Sequence, residues 1–298
     1  NFYMPIFEEA LDLYDLPMEL KYLPIIESAL NPVAVSRQGA TGLWQFMLGT
    51  GKIYGLKNNS LIDERRDPIK STWAAARYLK DLYAIYQDWN LVLAAYNCGP
   101  GTINKAIRRA GGATDYWTIY NYLPKETRGY VPAFIAANYI MTYYCEHDIC
   151  PMETQLPSAT DTIHIHKDLH LQQVAEVCNL NIDQLRSLNP QYKKDIIPGN
   201  SELCVLRLPN NTVSSFIDRQ DSIFAHKANE YLKKRKAVAI KDNTGIRTSS
   251  KGAVYHKIKS GDTLGGIAAK YHVSVNQLRR LNNIKGNNIR AGKSLRIR

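Results

Sequence analysis

Along residues 1–150, apolar side chains recur every three or four positions, as in residues 74–83 and 132–141, which predicts amphipathic helices. Asn31-Pro32, Gly39, Gly42, Gly99-Pro100-Gly101 and Gly111-Gly112 interrupt the pattern and predict polar, glycine-rich loops. After Cys150 the period changes. Two stretches share one plan: a short alternating strand, two helices and a closing strand. The first runs through residues 162–166, 171–177, 181–189 and 204–208, the second through 254–258, 263–271, 274–282 and 294–297. Each helix pair ends in Leu-Asn, at Leu188-Asn189 and Leu281-Asn282, so the chain carries an internal β-α-α-β repeat. The intervening stretch is polar and basic and is expected to be partly flexible, above all over residues 241–252.

One helical stripe contains a residue out of character. Leu20, Leu23, Glu27 and Leu30 share a face by spacing, and that face is expected to meet a core. An ionised carboxylate there costs several kcal/mol, on the order of its desolvation penalty, unless it is paired or protonated. A carboxyl held protonated near neutral pH is what a general acid requires. The alternative is a structural Glu satisfied by an arginine or by backbone donors.

Composition narrows the class. Hydrophobic residues make up 45% of the 298, and the mean hydropathy is -0.33. No run approaches the roughly 18 apolar residues of a membrane span. The chain opens at Asn1 without a targeting segment, which leaves room for a removed N-terminal piece carrying a membrane anchor. The net charge of +11 is uneven: residues 1–150 hold 14 basic and 15 acidic side chains, 151–253 hold 14 and 11, and 254–298 hold 10 and 1. The last module is therefore the one suited to an anionic polymer, an anionic lipid surface or a nucleic acid. Cys98, Cys145, Cys150, Cys178 and Cys204 fit no metal spacing. Cys145 with Cys150 and Cys178 with Cys204 could pair in an oxidising compartment, leaving Cys98 free, or all five could be buried thiols.

Residues 27–47, from Glu27-Ser28-Ala29-Leu30-Asn31-Pro32 to Gly42-Leu43-Trp44-Gln45-Phe46-Met47, resemble the active-site signature of soluble-lysozyme-like lytic transglycosylases, glycoside hydrolase family 23. Ala95-Tyr96-Asn97-Cys98-Gly99 and Leu123-Pro124-Lys125-Glu126-Thr127-Arg128-Gly129-Tyr130-Val131 follow in the expected order. Gly42-Leu43-Trp44-Gln45 and the run Asp63-Glu64-Arg65-Arg66-Asp67 resemble the membrane-bound transglycosylase D branch. The second repeat is similar to a LysM module through Gly261-Asp262-Thr263-Leu264, Leu281-Asn282 and Ile289-Arg290-Ala291-Gly292. The first resembles a degenerate LysM, with Lys167-Asp168-Leu169-His170 in place of Gly-Asp-Thr.

The resemblance implies a multidomain protein: an all-α lysozyme-like catalytic domain over 1–150, followed by small α+β (βααβ) LysM-type modules over 160–209 and 253–298, with a basic linker at 210–252. It implies non-hydrolytic cleavage of the β-1,4 bond between N-acetylmuramic acid and N-acetylglucosamine in peptidoglycan, with a 1,6-anhydro product. Glu27 would act first as acid and then as base. Ser28, Trp44, Gln45, Tyr96, Asn97 and Tyr130 would line the cleft; Ser28 has the alternative of bonding back to its own helix. Asp63, Asp67 and Glu126 are candidates for a second carboxylate, although ion pairing for the aspartates and capping or arginine pairing for Glu126 are the plainer readings. Gly261, Asp262, Thr263, Leu264, Asn288, Ile289 and Arg290 would form the LysM glycan groove. No metal or other cofactor is called for. The expected partner is the peptidoglycan glycan strand and not nucleic acid, for which no helix-turn-helix, zinc or RRM pattern is present. A monomer in the bacterial periplasm is expected, attached to the outer membrane if an anchor precedes Asn1. A muramidase hydrolysing the same bond and a non-catalytic peptidoglycan-binding scaffold are the alternatives.

Overall fold

The computed structural model describes residues 2–297 except 151–153, 155, 235–245, 249–253, 259–261, 272, 283, 285, 287–288 and 291. Its first part is all helical: α1 (Met4–Leu13), α2 (Leu23–Ser28), α3 (Leu48–Ile53), α4 (Pro68–Tyr86), α5 (Trp89–Cys98), α6 (Pro100–Arg109), α7 (Tyr116–Ile119) and α8 (Lys125–Thr142). The starts are set by local chemistry. Asp67, Asp88 and Asp115 each accept backbone N–H bonds that the first turns of α4, α5 and α7 cannot satisfy internally. Helix α5 is the axis of the domain. Residues 91–95 are all buried, and α4, α6 and α8 pack around it. Phe7 and Leu11 of α1, with Leu79 and Leu82 of α4, complete this core.

The stripe through Glu27 is shorter than its spacing predicts. Helix α2 stops at Ser28 because Ala29 and Leu30 take left-handed backbone angles, φ +50° and +60°. Leu20 and Leu23 are buried as expected, whereas Leu30 reaches the core from outside the helix. The turn leaves Glu27 in the last turn of α2.

The first β-α-α-β unit pairs β1 (Thr160–Ile165) antiparallel with β4 (Cys204–Pro209), Ile163 opposite Leu206. A second small pair joins β2 (Asp168–His170) to β3 (Ile196–Pro198). Helices α9 (Leu171–Cys178) and α10 (Ile182–Leu188) lie between them. The stretch expected to be linker departs from that reading. Residues 213–231 form α11 (Val213–Asp218), α12 (Gln220–Ala225) and α13 (Ala228–Tyr231), and Phe216 and Ile223 are fully buried in the module's core. Gln173, itself buried, donates to the Ile223 carbonyl at 3.0 Å and the His226 carbonyl at 2.8 Å. Basic composition masked three apolar anchors, Phe216, Ile223 and Leu232. Farther on, β5 (Ile246–Thr248) also falls inside the expected linker and pairs with the next strand. The rest of 241–252 lies outside the described residues.

The second unit orders its strands β5, β6 (Val254–Lys257) and β7 (Ser294–Arg296), with α14 (Leu264–Lys270) and α15 (Val275–Asn282) packed beside them. The repeat holds at atomic detail. Asn189 donates to the Leu185 and Arg207 carbonyls and accepts from the Arg207 amide at 2.8 Å. Asn282 does the same with Leu278 and Arg296. In each case one side chain ties the second helix to the last strand.

The first module is docked on the helical domain. Leu61 and Ile62, from the loop before α4, lie in the module's core rather than their own domain's. Ile62 bridges Tyr192, the Asp63 amide donates to the Gln191 carbonyl at 2.9 Å, and the Lys193 amide donates to the Leu61 carbonyl at 2.7 Å. Lys57 adds an ion pair to Glu202. All five cysteines are free thiols, so neither sequence-suggested pairing, Cys145 with Cys150 or Cys178 with Cys204, is formed. Leu61→Ala should cost about 2–5 kcal/mol, as for other fully buried leucines. Urea unfolding measures this, and an unchanged midpoint would show that the shared core holds nothing.

Candidate active site

Glu27 is half-buried, and the Tyr130 hydroxyl from α8 donates to its Oε1. Burial raises the Glu27 carboxyl to about 7; the Tyr130 bond pulls it down and the Glu126 carboxylate pushes it up further. Tyr130 and Tyr96 are pushed well above the usual phenol value by burial and by the Glu27 charge. Both therefore stay neutral O–H donors. Tyr78 of α4, absent from the sequence-level candidates, stacks obliquely on Tyr96 with centroids 5.3 Å apart and completes this aromatic wall. A Tyr inside a helical apolar pattern carries no signal that separates it from ordinary core.

The loop that follows α2 is held from several sides. Arg65 is buried and grips Asp63 through two bonds, Nε to Oδ1 at 2.9 Å and Nη2 to Oδ2 at 2.8 Å. Its Nη1 donates to the carbonyls of Gly39 at 3.0 Å and Phe46 at 3.1 Å. Gly42, at φ +90°, lies so close to the Arg65 backbone that a Cβ would sit 1.8 Å from its carbonyl oxygen. The Ser28 hydroxyl shares its one proton between the carbonyls of Pro24 (3.1 Å) and Leu43 (2.9 Å), bonding back to its helix and pinning the loop. Gln45, at φ +48°, turns its amide nitrogen to the Gly42 and Ala34 carbonyls. The Tyr96 hydroxyl donates to the Trp44 carbonyl at 2.7 Å. Asn97 accepts from the Thr127 hydroxyl at 2.8 Å and thereby joins α5 to α8.

These contacts revise several expected roles. Glu27, Tyr96 and Tyr130 are brought together. Trp44 is not in the cleft: it is 1% exposed, packs edge-on against Phe7 and donates to Thr72 at 2.8 Å. Its place in the signature marks core packing under the loop. Ser28, Gln45 and Asn97 each direct part of their hydrogen-bonding capacity into the scaffold. Among the carboxylates, Asp63 is held below its usual value by the Arg65 bonds and charge, which outweigh the opposing effect of burial. Asp67 caps α4 through the Ile69 and Lys70 amides. Glu126 neither caps nor pairs among the described residues; it is exposed in the first turn of α8, one turn before Tyr130.

In the second module, Leu264 is core and Ile289 is half-buried against it, Asp262 bonds His256 at 2.7 Å, and Thr263 accepts from the Gly266 amide at 3.0 Å. These side chains build the turn, which leaves exposed Arg290 as the described member of the set that does not build the fold. Gly261 and Asn288 lie outside the described residues.

Residues 4–119 match the family model described as Transglycosylase SLT domain. Residues 159–225 match the lytic transglycosylase MltD, LysM-like domain, and 256–298 the LysM domain. The chain thus combines an SLT transglycosylase domain with two LysM-type domains. It is 31% identical over 287 residues to the membrane-bound lytic murein transglycosylase D of Escherichia coli (strain K12), covering 95% of this chain and 60% of that protein. The soluble lytic murein transglycosylase of the same organism is 32% identical over 124 residues, 40% of this chain and 19% of its own. A solved structure, the 70 kDa soluble lytic transglycosylase SLT70 from Escherichia coli, aligns over 47% of this chain and 24% of its own, with 28% identity and a TM-score of 0.41. The chain spans about 60% of the length of the transglycosylase D relative.

A raised carboxyl also affects stability. The unfolded chain ionises Glu27 near 4.5, the folded chain near 7. Between those values the unfolded state binds fewer protons, so stability falls as pH rises through the window and stays low above it. Glu27→Gln removes this penalty. The variant should be more stable than the parent above pH 7, by up to about 3 kcal/mol, with the gain fading towards pH 4.5. Thermal unfolding across pH tests the sign; equal stability at all pH values would contradict a raised carboxyl.

Proposed function

We propose that the protein is a peptidoglycan lytic transglycosylase that cleaves the β-1,4 bond between N-acetylmuramic acid and N-acetylglucosamine without consuming water. The reading is carried by a single half-buried carboxyl, Glu27, raised to about 7 and oriented by Tyr130, while Asp63 and Asp67 are spent on an ion pair and a helix cap. Protonated Glu27 gives its proton to the leaving 4-oxygen as the bond from the anomeric carbon breaks. The resulting carboxylate then takes the proton of the muramoyl 6-hydroxyl, whose oxygen bonds the same carbon. Glu27 ends protonated, the product is a 1,6-anhydro sugar, and no second carboxylate or water enters. A hydrolase would need a second acid spaced for a nucleophile or a water. Glu126 supports that runner-up, since its charge reaches Glu27.

The LysM-type domains hold the glycan and raise its local concentration at Glu27. The last module, with 10 basic against 1 acidic residue over 254–298, adds attraction to an anionic wall that weakens with salt. Among the described residues no helix is long and apolar enough to cross a membrane. A periplasmic location, attachment to the cell envelope and a monomeric state complete the reading.

Mass spectrometry of digested sacculi should show anhydromuramoyl ends. Reducing ends instead would establish a hydrolase. Glu27→Gln should lower product release at least about a hundredfold, and activity of the parent should fall as pH rises above about 7, because the starting form is the protonated acid. Glu126→Gln should leave the anhydro product unchanged.

A further inference from the structure

A cavity of about 440 Å³ opens where the helical domain meets the first LysM-type module. That volume suits a small-molecule ligand or a peptide segment. Val33 forms part of its wall and lies six residues after Glu27, so the cavity is within about 22 Å of the acid along even a fully extended chain. The wall carries Arg66 from the helical domain and Arg186, Lys193, Lys194 and Asp195 from the module. Arg186 and Asp195 neutralise one another at 2.8 Å. Three cations remain.

Arg66 is the odd member of its run. Asp63 is taken by Arg65, Glu64 by Lys70 at 2.5 Å and by the Lys57 amide, and Asp67 by the start of α4. Its Nε is buried and has no hydrogen-bond partner among the described residues. A buried guanidinium N–H left without an acceptor is costly, and the part of the same side chain that lines the cavity is where an entering carboxylate would offset its charge. Lys193 is held below its usual value by burial and by neighbouring Arg66, Arg65 and Lys194, with Asp63 acting the other way. The cations face one another with too little negative charge between them.

We propose that this cavity binds a free carboxylate of the peptide branches carried by the glycan strand, so that the module-domain junction selects peptide-bearing substrate. This rests on the reading of the protein as a peptidoglycan enzyme. The planar fork of Arg66 suits the two carboxylate oxygens, and Lys193 and Lys194 supply the remaining charge. Neither half of the chain holds the cavity alone, which ties its formation to the docking through Leu61 and Ile62.

The test uses the full chain with Glu27→Gln to suppress turnover, and calorimetric titration at fixed salt. The probes are the N-acetylglucosamine–N-acetylmuramic acid disaccharide with a tetrapeptide branch and the same disaccharide without it. The peptide-bearing probe should bind about tenfold more tightly, a difference of one carboxylate contact. Adding Arg66→Gln with Lys193→Gln should abolish the preference. Lys293→Gln, on the exposed face of the last module, should retain it. Lys194→Gln, at an exposed position that burdens folding little, should reduce the preference two- to threefold by itself. Equal binding of the two probes, a preference that survives the double change, or one lost equally in Lys293→Gln would overturn the proposal. Absence of anhydro products from sacculi would overturn the enzymatic reading alone and leave these binding results to stand.

Discussion

The buried pair of Asp63 and Arg65 is the constraint around which the region beside Glu27 is arranged. A guanidinium this enclosed is tolerable because every face has a partner: two carboxylate oxygens and two loop carbonyls. The same residue presents its backbone to Gly42, where only a missing side chain permits contact. Asp63 in turn gives its amide to the first module. One three-residue step, from Asp63 to Arg65, therefore fixes the loop beside Glu27 and the seat of the neighbouring domain. Removing either charge would leave the other buried alone, so the pair is better understood as a registration device than as a source of net stability.

Around that frame the acid is set by exclusion. Burial on a half-polar helix end raises Glu27, while Tyr130 stays protonated and donates to it, and Tyr96, also protonated, gives its proton to the Trp44 carbonyl. The surrounding polar residues, Ser28, Gln45 and Asn97, direct their bonds into the scaffold. The bonds that hold the loop thus run to Arg65, Ser28, Gln45 and Tyr96, while the hydrogen bond to the Glu27 carboxyl comes from Tyr130.

Much of this was legible in the sequence where short-range rules decide. Helical spacing predicted the all-helical first part, the resemblance to a known signature drew in Gly42 and the Arg65 run, and the repeated strand-helix-helix-strand plan announced the two modules. Glu27 was visible because a charge interrupted an apolar stripe. What escaped depended on distant partners. Leu30 left its stripe because the backbone turned left-handed two residues after Glu27. Trp44 was expected in the cleft, but Phe7 and Thr72, 37 residues before it and 28 after, claim it for the core. Residues 213–231 looked like linker because their few apolar side chains find their core only once α9 is in place. The docking loop at Leu61 and Ile62 gives no local hint of which domain it serves.

The paired asparagines carry a mechanical consequence. Asn189 and Asn282 close the same three-bond ring in two modules, each joining the second helix to the last strand. The partners of the ring are main-chain groups, which are the same whatever side chains surround them. The outer surfaces are thereby left free to differ: the first module spends part of its own against the helical domain, whereas the second carries most of the basic excess.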